Sequence, residues 1–189
     1  MESTTVGLSM AGIGLLVARL VLGLLMAAHG TQKLFGWFGG HGPDGTGQFF
    51  ESIGLRPGRR HAVAAGAAEA GGGALLALGL ATPAAAASLG TVMVTALRTV
   101  VWRDGVKVGT GGYELLLLAN AVALADLGPG KLSLDALLGQ ERRGTRWAAA
   151  ALGAALAGSA LAIAAGRREP AQDEADQAVE TEASAAVSS

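Results

Sequence analysis

Residues 62–82 read AVAAGAAEAGGGALLALGLAT, a run in which Glu69 alone carries a charge. The hydrocarbon core of a bilayer takes about 20 apolar residues of helix, so this stretch has the length and apolarity of a membrane span. A helix on a soluble bundle needs a polar stripe along its outer side, and one charge in such a run cannot supply it. Working outward, Pro83 to Trp102 is a second run with Arg98 inside it, and Leu8 to Gly30 is a third, interrupted by Arg19. Gly111 to Leu127 holds Glu114 and Asn120. Trp147 to Gly166 is uncharged, rich in Ala and Gly, and bracketed by Arg142, Arg143 and Arg146 before it and Arg167 and Arg168 after it. Five spans are predicted, the last on the weakest signal because its side chains are small.

The whole chain agrees with that reading. Its 189 residues are 51% hydrophobic and 15% charged, with a mean hydropathy of +0.43, whereas a soluble domain is about 25% charged. Six of the fifteen acids (Glu169, Asp173, Glu174, Asp176, Glu180, Glu182) fall near the C-terminus, in a segment without an aromatic. That composition predicts a disordered, solvated acidic tail over 167–189. The absence of cysteine excludes disulfides, thiolate metal sites and thiol nucleophiles within the chain. A net charge of −1 argues against nucleic acid as a partner. Ahead of the first run stands only Glu2, with no basic region and no small-residue cleavage signal after the run, so it is expected to stay in the membrane.

Lys and Arg counts give an orientation. With five spans, one side receives Lys33, Arg56, Arg59, Arg60, Arg103, Lys107, Arg167 and Arg168, and the other Lys131, Arg142, Arg143 and Arg146. Eight against four predicts an outside N-terminus and a cytoplasmic C-terminus; without the fifth span the counts become equal. The eight aromatics fall at predicted helix ends or in the long first loop, Thr31 to Arg60, which carries five of them together with a run of glycines (Gly36, Gly39, Gly40, Gly42, Gly45, Gly47). Aromatic rings settle at the headgroup level, so this loop is expected at the interface, with a plain flexible connector as the alternative.

Ionisable groups inside a bilayer are costly and usually face a bundle interior or a wet cavity. At about 1.5 Å per residue, Glu69, Arg98 and Glu114 are predicted within about 10 Å of the first-loop face and Arg19 about 17 Å in. His29 and Lys33 close the first span at that face. The expected pairs are Arg98 with Glu114 and Arg19 with Glu69. Two readings follow: the pairs only fix the register of the bundle, or they line a cavity for a small polar or quinone-like molecule, with a carboxylate moving protons. Small residues at Gly66, Ala70 and Ala74 let the second span approach a neighbour closely. Of the three histidines, His29 and His61 could share a face, but no spacing demands a metal, and none is predicted.

The residues also carry a likeness. Arg19-Leu20-Val21-Leu22-Gly23, His29-Gly30, Lys33-Leu34-Phe35-Gly36, Glu69-Ala70-Gly71-Gly72, Gly79-Leu80 and Thr82-Pro83 stand in order, followed by Gly112-Tyr113-Glu114-Leu115, Gly128-Pro129-Gly130 and Ser133-Leu134-Asp135. This series resembles the DoxX family of small bacterial membrane proteins over about residues 12–138. The resemblance implies an all-α membrane protein, with a four-helix transmembrane bundle over 8–138; the helix at 147–166 and the tail at 167–189 depart from the minimal pattern. Relatives include a subunit of a thiosulfate:quinone oxidoreductase and components of membrane-associated redox or oxidative-stress systems. By analogy Arg19, Glu69, Arg98 and Glu114 form the polar core, and no catalytic residue carries over. The expected function is a bacterial inner-membrane component of a redox system, partnered by redox proteins, that meets quinone in a cavity formed by Arg19, His29, Lys33, Glu69, Arg98 and Glu114. The alternative is a non-catalytic scaffold or small-molecule transporter.

Overall fold

The computed structural model describes residues 10–101 and 111–187. Every element among them is helical. In chain order they are α1 (Met10–Phe35), a 3₁₀ turn (Trp37–Gly39), α2 (Gly42–Ser52), α3 (Gly58–Leu78), and α4 (Thr82–Ala96), which runs on into a π turn at Leu97–Val101. Beyond residue 110 come α5 (Gly112–Leu127), the single-turn α6 (Leu134–Leu137) and α7 (Thr145–Val187).

Four stretches are long and apolar enough to cross a membrane: Gly12–Phe35, Gly58–Leu78, Thr82–Val100 and Thr145–Gly166. The chain is a multi-pass helical membrane protein. At 16 residues, α5 is shorter than these, and it packs against α4 and α7. The core is apolar, built from Leu22 and Met26 of α1, Leu76 of α3, Leu89 and Met93 of α4, Leu117 and Leu124 of α5, and Ala148 and Ala151 of α7. Outward positions such as Val21, Leu24, Leu115 and Leu116 are exposed, as lipid-facing side chains are.

Glycine sets the closest approach in the bundle. A Cβ at Gly23 would lie 2.6 Å from the Ala77 nitrogen, and one at Gly73 2.5 Å from the Gly23 oxygen. A Cβ at Gly30 would run into the Ala70 backbone. The antiparallel pair α1 and α3 therefore meets backbone to backbone, as small residues permit in membranes. The small-residue stripe on α3 runs Gly66, Ala70, Gly73 and Ala77, whereas Ala74, which shares the expected spacing, is exposed. This seam also explains why α1 does not stop at Gly30: the glycine is a packing position, and the helix continues to Phe35.

The turn between α3 and α4 is fixed from a distance. Gly79 (φ 65°) ends α3, its N–H donating to Leu76 O at 3.0 Å while Leu80 N–H donates to Leu75 O at 2.9 Å, a Schellman closure. The Asp135 carboxylate accepts from the Ala81 N–H at 2.9 Å and the Thr82 N–H at 3.2 Å, supplying the cap that α4 lacks locally. Pro83 in the first turn gives up no hydrogen bond there.

The first loop is a folded layer. Gly47 and Gly58 touch, a Cβ at Gly47 falling 2.8 Å from the Arg59 nitrogen, and Glu51 Oε1 accepts from the Gly58 N–H at 3.0 Å. This docks α2 on the start of α3. Phe35, Trp37, Phe38 and Phe49 are exposed on this layer. α7 begins beside the end of α5, where Gly144 N–H donates to Asp126 O at 2.7 Å, and reaches the first-loop end, where Arg56 N–H donates to Gly166 O at 3.4 Å. Its backbone continues as helix to Val187 through the segment whose composition predicts a disordered tail. The Ala, Glu and Gln that leave that segment nothing to bury are also strong helix formers.

Candidate functional site

Two buried polar centres lie at opposite ends of the bundle. At the first-loop end, Glu69 is buried on α3 and forms an ion pair with Lys33, which stands on the last turns of α1. Lys33 belongs to the helix because α1 outlasts Gly30, and from there its stem reaches back along the seam to the carboxylate. Antiparallel packing decides the partner: Gly66, one turn before Glu69, lies against Leu34 and Lys33.

Arg19 is 14 positions earlier on α1, about 21 Å along the axis, and belongs to the other end. Only 2% exposed, it donates from Nε to Ala77 O at 3.3 Å, from Nη2 to Leu132 O at 2.6 Å, and from Nη1 to Pro129 O. The expected Arg19–Glu69 pair is therefore absent. Arg19 instead ties the end of α3 to the segment that carries Asp135, satisfying three carbonyls that no helix accommodates.

The expected Arg98–Glu114 pair is also absent. Arg98 is exposed and lies 3.5 Å from Leu156 O of α7. The physical reason is angular. Thr91, Thr95 and Thr99 hold the inner stripe of α4, and a residue adjacent to Thr99 on a helix is turned about 100° away from it, toward α7.

The Lys33–Glu69 pair borders a cavity of ≈ 370 Å³. α1 contributes Met26, His29 and Lys33, and α3 contributes His61, Ala64, Ala65, Ala68 and Glu69. The far wall is the threonine stripe with Val92, Met93 and Val100; α5 adds Tyr113, Glu114 and Leu117, and α7 adds Ala162. Phe49 and Phe50 of α2, with Ile53 and Leu55 after it, close the first-loop side. Of the six candidates read from sequence, His29, Lys33, Glu69 and Glu114 come together here, while Arg19 and Arg98 do not. His29 hydrogen-bonds through Nδ1 to Leu25 O at 3.0 Å and packs its ring 6.3 Å from that of Tyr113.

Sequence reasoning missed the threonines and took Tyr113 only as an interface aromatic. The signal was there in the spacing of Thr91, Thr95 and Thr99, which puts three hydroxyls on one side of α4. The π turn widens the helix where Thr99 and Val100 reach the cavity, a distortion often found at functional sites. Among the described residues, no group of three or more His, Cys, Asp or Glu is placed to hold a metal ion.

Fold and site together define a multi-pass helical membrane protein with a largely apolar cavity, bordered by a buried ion pair, between its helices. Residues 14–102 match the model of the DoxX family. The matched stretch holds α1 to α4, hence both partners of the Lys33–Glu69 pair and the threonine wall. No curated protein and no solved structure matches the chain.

Proposed function

We propose that the chain is the membrane-embedded component of a redox system and that a quinone occupies the cavity beside Lys33 and Glu69. The observation that carries this reading is the form of the cavity. Its volume of ≈ 370 Å³ falls in the range of about 300–1,000 Å³ typical of small-ligand pockets. Its walls are mostly apolar, with five ionisable side chains, His29, Lys33, His61, Glu69 and Glu114, among them. A quinone, when bound, supplies two-electron, two-proton chemistry. In this reading Lys33 and the Tyr113 hydroxyl donate hydrogen bonds to ring oxygens, and Glu69 and Glu114 hold or return protons. The apolar wall excludes water from the ring. The chain has no cysteine, so any thiol chemistry comes from a partner redox protein or from the substrate. The setting is a bacterial plasma membrane, with the first-loop end at the cytoplasmic face.

The test is quinone content. Protein purified from native membranes in mild detergent is extracted with organic solvent, and quinone per polypeptide is compared with an unrelated membrane protein. Near-stoichiometric quinone is expected, reduced severalfold by Ala65→Phe, which fills the cavity, and unchanged by Arg98→Ala, whose side chain lies outside it. Quinone no higher than in the control protein would discard this reading in favour of a scaffold or a transporter.

A further inference from the structure

The hydrogen-bonding polarity of the cavity points to the kind of head group it holds. The Thr95 hydroxyl donates to Thr91 O at 2.7 Å and the Thr99 hydroxyl to Thr95 O at 2.8 Å. A threonine hydroxyl has one proton and two lone pairs, so each proton is already committed to the helix. What these side chains present to a ligand is an acceptor. His29 behaves the same way: its Nδ1 partner, Leu25 O, is a carbonyl that only accepts, which puts the ring proton on Nδ1 and leaves Nε2 with a lone pair in the neutral imidazole. Glu114 adds a carboxylate, and Glu69 keeps one oxygen beyond the one bonded to Lys33.

Against these five acceptor groups stand the Lys33 ammonium, which already serves Glu69, the Tyr113 hydroxyl, and His61, whose neutral ring brings one N–H and one lone pair. A ligand whose head only accepts, such as a quinone with two carbonyls, leaves most of this wall unmatched. A buried polar group without a partner loses the hydrogen bonds it had to water. A head that donates through two O–H groups satisfies two of these acceptors, where a quinone satisfies none.

Resting on the quinone reading above, we infer that the cavity selects the reduced, dihydroxy form of its ligand over the oxidised form. The acceptors are distributed over four helices: His29 on α1, Glu69 on α3, the threonines on α4 and Glu114 on α5. Binding the quinol ten times more tightly than the quinone would raise the potential of the bound two-electron couple by about 30 mV.

The experiment measures binding of three probes to the full chain in detergent under anaerobic conditions: decylubiquinone, its quinol, and the dimethyl ether of that quinol, which keeps the shape but has no O–H. The quinol is expected to bind about tenfold more tightly than the other two. Thr95→Val, which keeps the side-chain shape and removes the acceptor, is expected to weaken the quinol roughly fivefold and leave the quinone unchanged. Equal affinity for quinone and quinol, or an ether that binds as well as the quinol, would overturn the inference while leaving the quinone reading standing. A Thr95→Val protein that loses both ligands equally would overturn the acceptor role of the wall. Failure of all three probes to bind would remove both readings.

Discussion

The Lys33–Glu69 pair shows how a buried charge is tolerated in this chain. Glu69 is 2% exposed, and an isolated carboxylate in such a position is costly unless it is neutralised or paired. Lys33 retains some contact with solvent, at 21% side-chain exposure, so the pair spans the boundary between the bundle interior and the interface. Removing one partner should cost more than removing both. Lys33→Met is expected to destabilise the protein by on the order of 3 kcal/mol, and adding Glu69→Gln to it should restore part of that loss. Melting in one detergent across wild type, both single variants and the double variant measures the coupling, and additive losses would mean that the two side chains act independently. Depth counting from sequence put Glu69 near this end and His29 and Lys33 beside it, because all three follow from where the apolar runs stop. It assigned Glu69 the wrong partner because partnership depends on the register between α1 and α3, and that register is set by glycine contacts that no single helix displays. Thr95 and Thr99 were invisible for another reason: threonine is nearly neutral toward membrane burial, so hydropathy does not flag it.

At the scale of elements, the seam between α1 and α3 is the feature that positions the site. Gly30 meets the α3 backbone, whereas a Cβ on Gly71 of the same helix pair would touch nothing within 4 Å. Glycine inside a helix costs roughly 0.5–1 kcal/mol relative to alanine. Gly71→Ala should therefore be neutral or raise the melting temperature slightly. Gly30→Ala should lower it by several degrees and loosen the Lys33–Glu69 pair, since the two backbones must separate to admit the methyl group. Equal behaviour of the two variants in a thermal melt would contradict the packing described. The apolar runs announced α3, α4 and the apolar first half of α7 to within a few residues. α2 escaped notice because its sequence, GPDGTGQFFES, is polar and broken by glycine, and it is held in place by its contact with the start of α3. Arg98 and Glu114 looked matched in depth; what depth omits is the angle around the helix axis, which turns Arg98 toward Leu156 of α7.

For the whole molecule, α7 is 43 residues long, about 64 Å at 1.5 Å per residue, more than twice the ~30 Å hydrocarbon thickness. Gly166 lies beside Leu55 and Arg56, so the acidic part of α7 leaves the bundle at the same end as α2. The absence of cysteine makes this easy to test. Single-cysteine variants Gly39→Cys and Ser189→Cys should react with a membrane-impermeant maleimide from one side of sealed vesicles, and Gly139→Cys from the other. Labelling of Gly39→Cys and Ser189→Cys from opposite sides would mean that α7 does not cross. Positive-residue counting reaches the same arrangement only when the last apolar run is included, and its small side chains are what made that inclusion hard to justify from composition. In the folded chain those small side chains have a use, since Ala155 and Gly158 sit against Gly90 and Thr91 of α4.

Gly23 and Gly30 on α1, and Gly66 and Gly73 on α3, are each seven residues apart, two helical turns, so every contact recurs on the same side of its helix. Over evolutionary time this divides the sequence into two kinds of position. Outward-facing sites such as Val21 and Leu24 can exchange one hydrocarbon for another almost without consequence, while Gly23, Gly30 and Gly73 in the seam have no room for a side chain. The lineage of such a protein would drift freely on its lipid-facing skin and stay fixed along one narrow line of contact.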